Sequence, residues 1–196
     1  MKGIKITVVA LLVVVTTMCN GFTVHASDFD EADSTISASS DVDAALIGAQ
    51  LISEKEYVEN GRRISEKIYE QEDGTIIIDT LNVGANLLRS SNGSDTATRT
   101  RTISGWGSIT ITATFDWYTE GAFSYVRCSS MSASRSLVSG VVVSTWTTSR
   151  TSNYVAIGTA NAQVEYYFYN SAVPFQYQQG TFKITCTDDG SISDNG

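Results

Sequence analysis

The chain has 196 residues, a formal net charge of −8 and a single histidine, His25. Imidazole is the commonest general base near neutral pH and the commonest metal ligand. With its one copy inside a secretory-type leader, most triad-hydrolase and zinc-centre chemistries are excluded for the exported chain. The acidic balance also excludes binding to nucleic-acid phosphates, which requires clustered Lys and Arg.

The N-terminus follows the secretory pattern: Lys2 and Lys5, then an aliphatic run from Ile6 to Val15, then Val24-His25-Ala26 before Ser27. Small or tolerated residues at −3 and −1 make Ala26 the expected cleavage position. The apolar run is about half the length that spans a bilayer, so a retained anchor is disfavoured. Acylation at Cys19 is disfavoured by the bulk of Met18. A secreted, extracellular protein starting at Ser27 is expected, with no stable membrane anchor. About 170 residues then remain, enough for one domain and a short appendage.

Charge is unevenly spread along that remainder. Residues 27–83 hold 14 acidic and 4 basic side chains, whereas residues 84–196 hold 7 of each. Residues 27–40 are acidic and Ser-rich, and are expected to be a disordered leader. A short helix is predicted from Asp41 as N-cap, with Ala44, Leu46, Ile47 and Leu51 on one side and Gly48 weakening it. Asn60-Gly61 and Asp73-Gly74 then separate three strand-like runs, which predicts a three-stranded meander across residues 54–83, so that residues 41–83 hold the short helix and the meander. No face of its middle strand is purely apolar, so the meander needs support from elsewhere.

Residues 84–101 read as a Ser/Asn/Gly/Thr linker bearing Arg89, Arg99 and Arg101. Basic residues in an exposed tether are protease sites. Two readings follow: residues 27 to about 101 form a propeptide cut at Arg99 or Arg101, or the segment is an ordinary interdomain loop.

Residues 102–196 are all-β in character. Ile109, Ile111, Ala113, Phe115 and Trp117 alternate with Thr110, Thr112, Thr114 and Asp116, the pattern of a strand with one buried side. Further runs lie at 122–132, 138–148, 154–169 and 180–187, with Pro174 between strands. Their spacing predicts an antiparallel, immunoglobulin-like β-sandwich. Removal of Cys19 leaves Cys128 and Cys186. A disulfide between them is one reading and would add about 4 kcal/mol by closing a long loop; two buried thiols are the other.

TATFDWY, then Cys128, a Ser-rich strand region and KITCTDDG with Cys186 together resemble small secreted proteins of Gram-positive bacteria. Most of these are uncharacterised, and some are grouped with geobacillin-type bacteriocins. The similarity covers roughly residues 98–190. It implies secretion, a β-sandwich and a role in antagonism between bacteria.

No sharp catalytic or cofactor motif appears, and neither a metal nor a cofactor is expected. Asp116, Glu120 and Glu165 are the acids near strand ends or outward positions, but nothing in the sequence sets two of them across a groove. A Ser–Lys dyad has only Lys55, Lys67 and Lys183 to draw on, the last expected to face outward. Cys128 lacks an activating imidazole. The tail from Asp188 to Gly196 has oxygens at alternating positions but no EF-hand glutamate, and a solvated tail is expected. Trp117 and Trp146 read as core, and Trp106 as a plug or an exposed anchor. Tyr167 and Tyr169 point away from the core in the alternating run to Tyr169. Together with Tyr177 and Gln163 they form the candidate ligand-binding set, near Gln176, Gln178 and Gln179. A second packing layer is the alternative role for these rings. The expected function is a non-enzymatic binding or surface-acting protein that contacts a cell-envelope glycan or a protein partner. Behind it stand a bacteriocin-like effector with an N-terminal pro-segment and, third, a glycan-acting hydrolase.

Overall fold

Among the described residues eleven strands arise where β-branched and aromatic residues alternate with polar ones and Gly or Asn closes the turns. The computed structural model describes residues 43–84, 91–173 and 175–194. The signal sequence with Ala26, the acidic leader, Asp41, Arg89 and Pro174 lie outside the described residues. Strands β1 (Gln50–Glu59), β2 (Arg62–Glu70) and β3 (Ile76–Gly84) form the expected meander. Asn60 and Gly61 take φ of 51° and 70° at the first turn, the left-handed pair that a two-residue hairpin requires. At the second turn the Thr75 amide donates to Asp73 Oδ1 at 2.9 Å.

β4 (Asn92–Ile103), β5 (Gly107–Glu120) and β6 (Phe123–Leu137) continue the same sheet. β7 (Val141–Arg150) crosses to a second sheet, β8 (Val155–Ala156) returns briefly to the first, and β9 (Thr159–Asn170), β10 (Tyr177–Thr187) and β11 (Ile192–Ser193) complete the second. The sheet orders are β1-β2-β3-β4-β5-β6-β8 and β11-β10-β9-β7, with every pairing antiparallel. The fold is an all-β sandwich. Six consecutive strands lie side by side in one sheet, whereas the immunoglobulin order sends its third strand to the opposite sheet.

The core lies between the sheets. Ile77, Leu81, Ile109, Ile111, Phe115 and Val126 from the first sheet meet Val164, Phe168, Phe182 and Ile184 from the second. Burying each such side chain contributes about 1.5–3 kcal/mol. The alternation read in β5 places Ile109, Ile111, Ala113, Phe115 and Trp117 inward, as expected. Trp106 is a buried plug, and Trp146 is partly buried, stacked on Phe168 at 6.3 Å.

Several expectations need correction. The helix from Asp41 is a single 3-10 turn, Ala44–Leu46. Asp43 caps it, Oδ1 accepting the Ala45 amide at 3.1 Å. Gly48 (φ 77°) then redirects the chain into β1. The linker is strand from Asn92 onward, and β4 is paired on both sides by β3 and β5. The described residues from Asp43 onward accordingly belong to one compact unit, in which the meander's β3 pairs directly with β4. The Cys128–Cys186 bridge is not formed: both are buried, reduced thiols. Each sulfur turns to its own strand, Cys128 Sγ donating to the Ser130 carbonyl at 3.2 Å and Cys186 Sγ to the Thr187 carbonyl at 3.5 Å. Burial pushes the Cys128 thiol pKa up against the pull of Arg150, the opposite of what an activated nucleophile needs. The tail is not simply solvated either. Ile192 is buried and pairs with Cys186, its carbonyl accepts from Arg63 Nη2 at 3.0 Å, and Asp194 binds Lys67 at 3.0 Å.

Candidate functional site

Arg99 and Arg101, expected as exposed processing positions, are among the most buried side chains of the molecule. Both project inward from β4, where alternation puts Ala97 and Ile103 on the same side. Register places Asp79 of β3 opposite Arg101. Arg101 donates to that carboxylate through Nε (2.7 Å) and Nη2 (2.6 Å), a bidentate pair. Arg99 Nη2 donates to the same carboxylate at 2.7 Å, and its Nη1 reaches the Lys183 carbonyl at 2.6 Å. Asp43 supplies the second carboxylate, its Oδ2 2.5 Å from Arg101 Nη1. The Phe182 ring lies 4.4 Å from one guanidinium and 5.0 Å from the other.

Two carboxylates and two guanidiniums make the cluster neutral, which allows it to sit between the sheets. Burial alone would raise the pKa of Asp79, but the hydrogen bonds and charges of Arg101 and Arg99 outweigh it and hold the carboxyl below its ordinary range. Burial pushes the Tyr166 phenol up to about 12. Gly180 is required beside the cluster, because a Cβ there would stand 2.5 Å from Asp43 Oδ1. A protease acting at Arg99 or Arg101 must first pull β4 from between its neighbours. The cluster is structural, and both arginines are buried in the folded chain rather than exposed as the processing reading expects.

The tyrosine set does assemble. On the outward face of the second sheet, Tyr169 of β9 and Tyr177 of β10 are register partners, and Tyr167 stacks on Tyr177 with ring centroids 5.6 Å apart. Tyr169 and Tyr177 are 40% and 53% exposed. Val142 of β7 lies opposite Tyr169, extending the patch. At the tip of the β9–β10 connection Phe175 is 98% exposed and holds φ at 66°. Left-handed backbone is uncommon for a bulky residue and concentrates at functional sites. Gln163 shares the face but lies four residues along β9 from Tyr167, about 13 Å at strand rise, opposite Lys183. Lys183 is on the outward side as expected, yet its side chain is almost covered. Gln178 turns inward and donates to Gln71 Oε1 at 3.1 Å, so it takes no part in the patch. The sequence places Phe175 among the clustered aromatics but not in the ligand-binding set, and Val142 in neither. The strain at Phe175 has no signature in the sequence, and Val142 joins only through register.

A second aromatic group was not foreseen. On the outward face of the first sheet, Tyr118 and Tyr125 stack at 4.8 Å, Tyr154 meets Tyr118 edge-on at 4.8 Å, and Arg127 lies 4.5 Å over the Tyr154 ring. Arg127 also binds Asp116 at 3.1 Å, and Ser94 Oγ donates to Asp116 at 2.7 Å. Partial burial acts to raise the Asp116 pKa, but these hydrogen bonds from Ser94 and Arg127 prevail and lower it. A glycosidase acid needs the opposite shift. Asp116 and Glu165 lie on the outward faces of different sheets, so this pair cannot flank one glycosidic bond.

Among the described residues no group of three metal-ligating side chains is assembled, and no helix is long and apolar enough to cross a membrane. No family model, curated protein or solved structure matches the chain.

Proposed function

We propose that this chain is a secreted, non-enzymatic binding protein that holds a cell-envelope glycan or protein partner through the aromatic patch on its second sheet. One observation carries the reading: Tyr169, Tyr177 and Phe175 are exposed together beside Tyr167, with Phe175 held in a strained backbone at the hairpin tip. Exposed rings in a cluster mark interaction surfaces, since each offers a large apolar area and tyrosine adds a hydroxyl. The secretory leader and the resemblance of residues 98–190 to small secreted proteins of Gram-positive bacteria support an envelope setting.

The bacteriocin-like alternative needs an N-terminal segment that comes away near Arg99 or Arg101. Losing residues up to that point would remove β1 to β3 and most of β4, leaving β5 without its partner on that side, which disfavours the pro-segment version. The binding reading is tested by retention of the full chain on isolated Gram-positive cell envelopes. Tyr169→Ala with Tyr177→Ala is expected to reduce retention at least tenfold while the thermal midpoint stays put. Unchanged retention by that folded variant removes the patch from the function.

A further inference from the structure

The outward face of β4, β5 and β6 is a field of hydroxyl groups. Every outward position from Thr96 to Thr102, from Ser108 to Thr114 and from Ser130 to Ser136 is threonine or serine. The register aligns them in rows across the three strands, for example Thr98, Thr112 and Ser132. Within the rows Thr96 and Thr114, Thr98 and Thr112, and Thr100 and Thr110 share hydrogen bonds of 2.9, 3.2 and 3.1 Å. Strands stand about 4.8 Å apart and successive rows about 6.7 Å. One end of the field is bounded by the Tyr118–Tyr125–Tyr154 group and the Asp116–Arg127 pair.

Solubility alone does not ask for this. A soluble surface is typically about 25–35% charged with both signs mixed, and β2, in the same sheet, carries Arg62, Glu66 and Glu70 on its outward side. An uncharged field selects against charged partners. A nucleic acid or polyanionic polymer needs clustered cations, whereas the two arginines at the margins of the field stand apart and are engaged, Arg127 with Asp116 and Arg62 with Asn82 and the Thr96 carbonyl. Protein interfaces are enriched in aromatic residues, Met and Arg and depleted in Ser at their centres. Hydroxyls both donate and accept, so they can match a sugar hydroxyl in either sense, and rings at one end offer an apolar contact for a pyranose.

We infer that the outward face of β4–β6 is a second binding surface, one that takes an uncharged, hydroxyl-rich glycan chain laid along the rows against the Tyr118–Tyr125–Tyr154 group. It lies on the opposite side of the sandwich from the Tyr169–Tyr177 patch and does not depend on that patch's role. Each hydroxyl contact is weak, so binding comes from their number and favours a polymer over a monosaccharide.

The test uses the full chain in a Tyr169→Ala, Tyr177→Ala background, so that its outcome is independent of the second-sheet patch. Affinity electrophoresis is run against chitin oligomers, amylose, β-1,3-glucan and dextran, with heparin as the anionic counterpart. At least one neutral polymer is expected to retard the protein, with heparin inert. Adding Thr112→Lys and Ser132→Lys should weaken that retardation at least tenfold at an unchanged thermal midpoint. Thr112→Val, which keeps the shape and removes a hydroxyl, should weaken it severalfold and serves if the lysine variant misfolds. The inference is overturned if no neutral polymer retards the protein, if heparin is preferred, or if a folded lysine variant binds as well as its parent. Faceting of ice crystals by the protein, with no polymer bound, would equally overturn it.

Discussion

The molecule contains two kinds of ion pair, and they do different work. Between the sheets, Asp79 holds Arg99 and Arg101 out of water; at the margin, Lys67 holds Asp194 and Arg127 holds Asp116 with solvent close by. In the first setting a charge that loses its partner has no water to replace it, so the cluster makes β3 and β4 mutually dependent. In the second, water and salt supply most of what the partner gave. The buried pairs thus join the meander to the sandwich together with the β3–β4 ladder, whereas Lys67–Asp194 fastens the exposed β1–β2 hairpin to the tail and Arg127–Asp116 links only β5 to β6.

Asp79→Ala is the largest way to break this contrast. It strands two buried guanidiniums and should cost about 3–5 kcal/mol in denaturant-unfolding experiments. The same residue sets an acid dependence. Because its folded pKa lies below the ordinary value near 3.9, its contribution is fully present above that value. It is lost as pH falls through the folded pKa, since the unfolded chain takes up the proton first. Stability should therefore hold from pH 7 to about 5 and drop below about 4, and the drop should be shallower in a folded Asp79→Asn variant. A loss below 1 kcal/mol for Asp79→Ala would make the buried and marginal pairs equivalent.

Lys67→Ala is the small counterpart. Burial opposes the charged form of Lys67, but Asp194 outweighs it and raises its pKa; solvent access still limits the pair to about 1 kcal/mol or less. Hydrogen exchange should quicken in β1 and β2 alone, leaving β4 and β5 protected. Loss of protection throughout the first sheet would mean that the tail supports the whole fold.

Much of the architecture could be read before the structure. The β5 alternation and the Asn-Gly and Asp-Gly turns depend on local chemistry, so the meander and the central strand were visible. β4 was hidden because two of its inward positions are arginine, a residue seldom buried unless paired. Its partner Asp79 is 20 or more residues away, and Asp43 sits in what looked like a helix start. Misreading β4 as a tether also concealed the hydroxyl field, since Thr96 to Thr102 line up with Thr110 to Thr114 only through strand register. The fate of two thiols depends on side-chain direction across the sheets, which spacing does not encode. The tyrosine patch was legible because strict alternation separates Tyr167 and Tyr169 from Tyr166 and Phe168.

Whether residues 43–84 belong permanently to the sandwich is tested most directly by trypsin challenge of the folded, full-length protein, followed by intact-mass measurement. The Arg99–Thr100 and Arg101–Thr102 bonds should survive under native conditions and be cut only once Asp79→Ala or denaturant opens β4. Prompt cleavage at either bond in the native wild type, releasing a stable fragment from Thr100 or Thr102 onward, would contradict the account and restore the pro-segment.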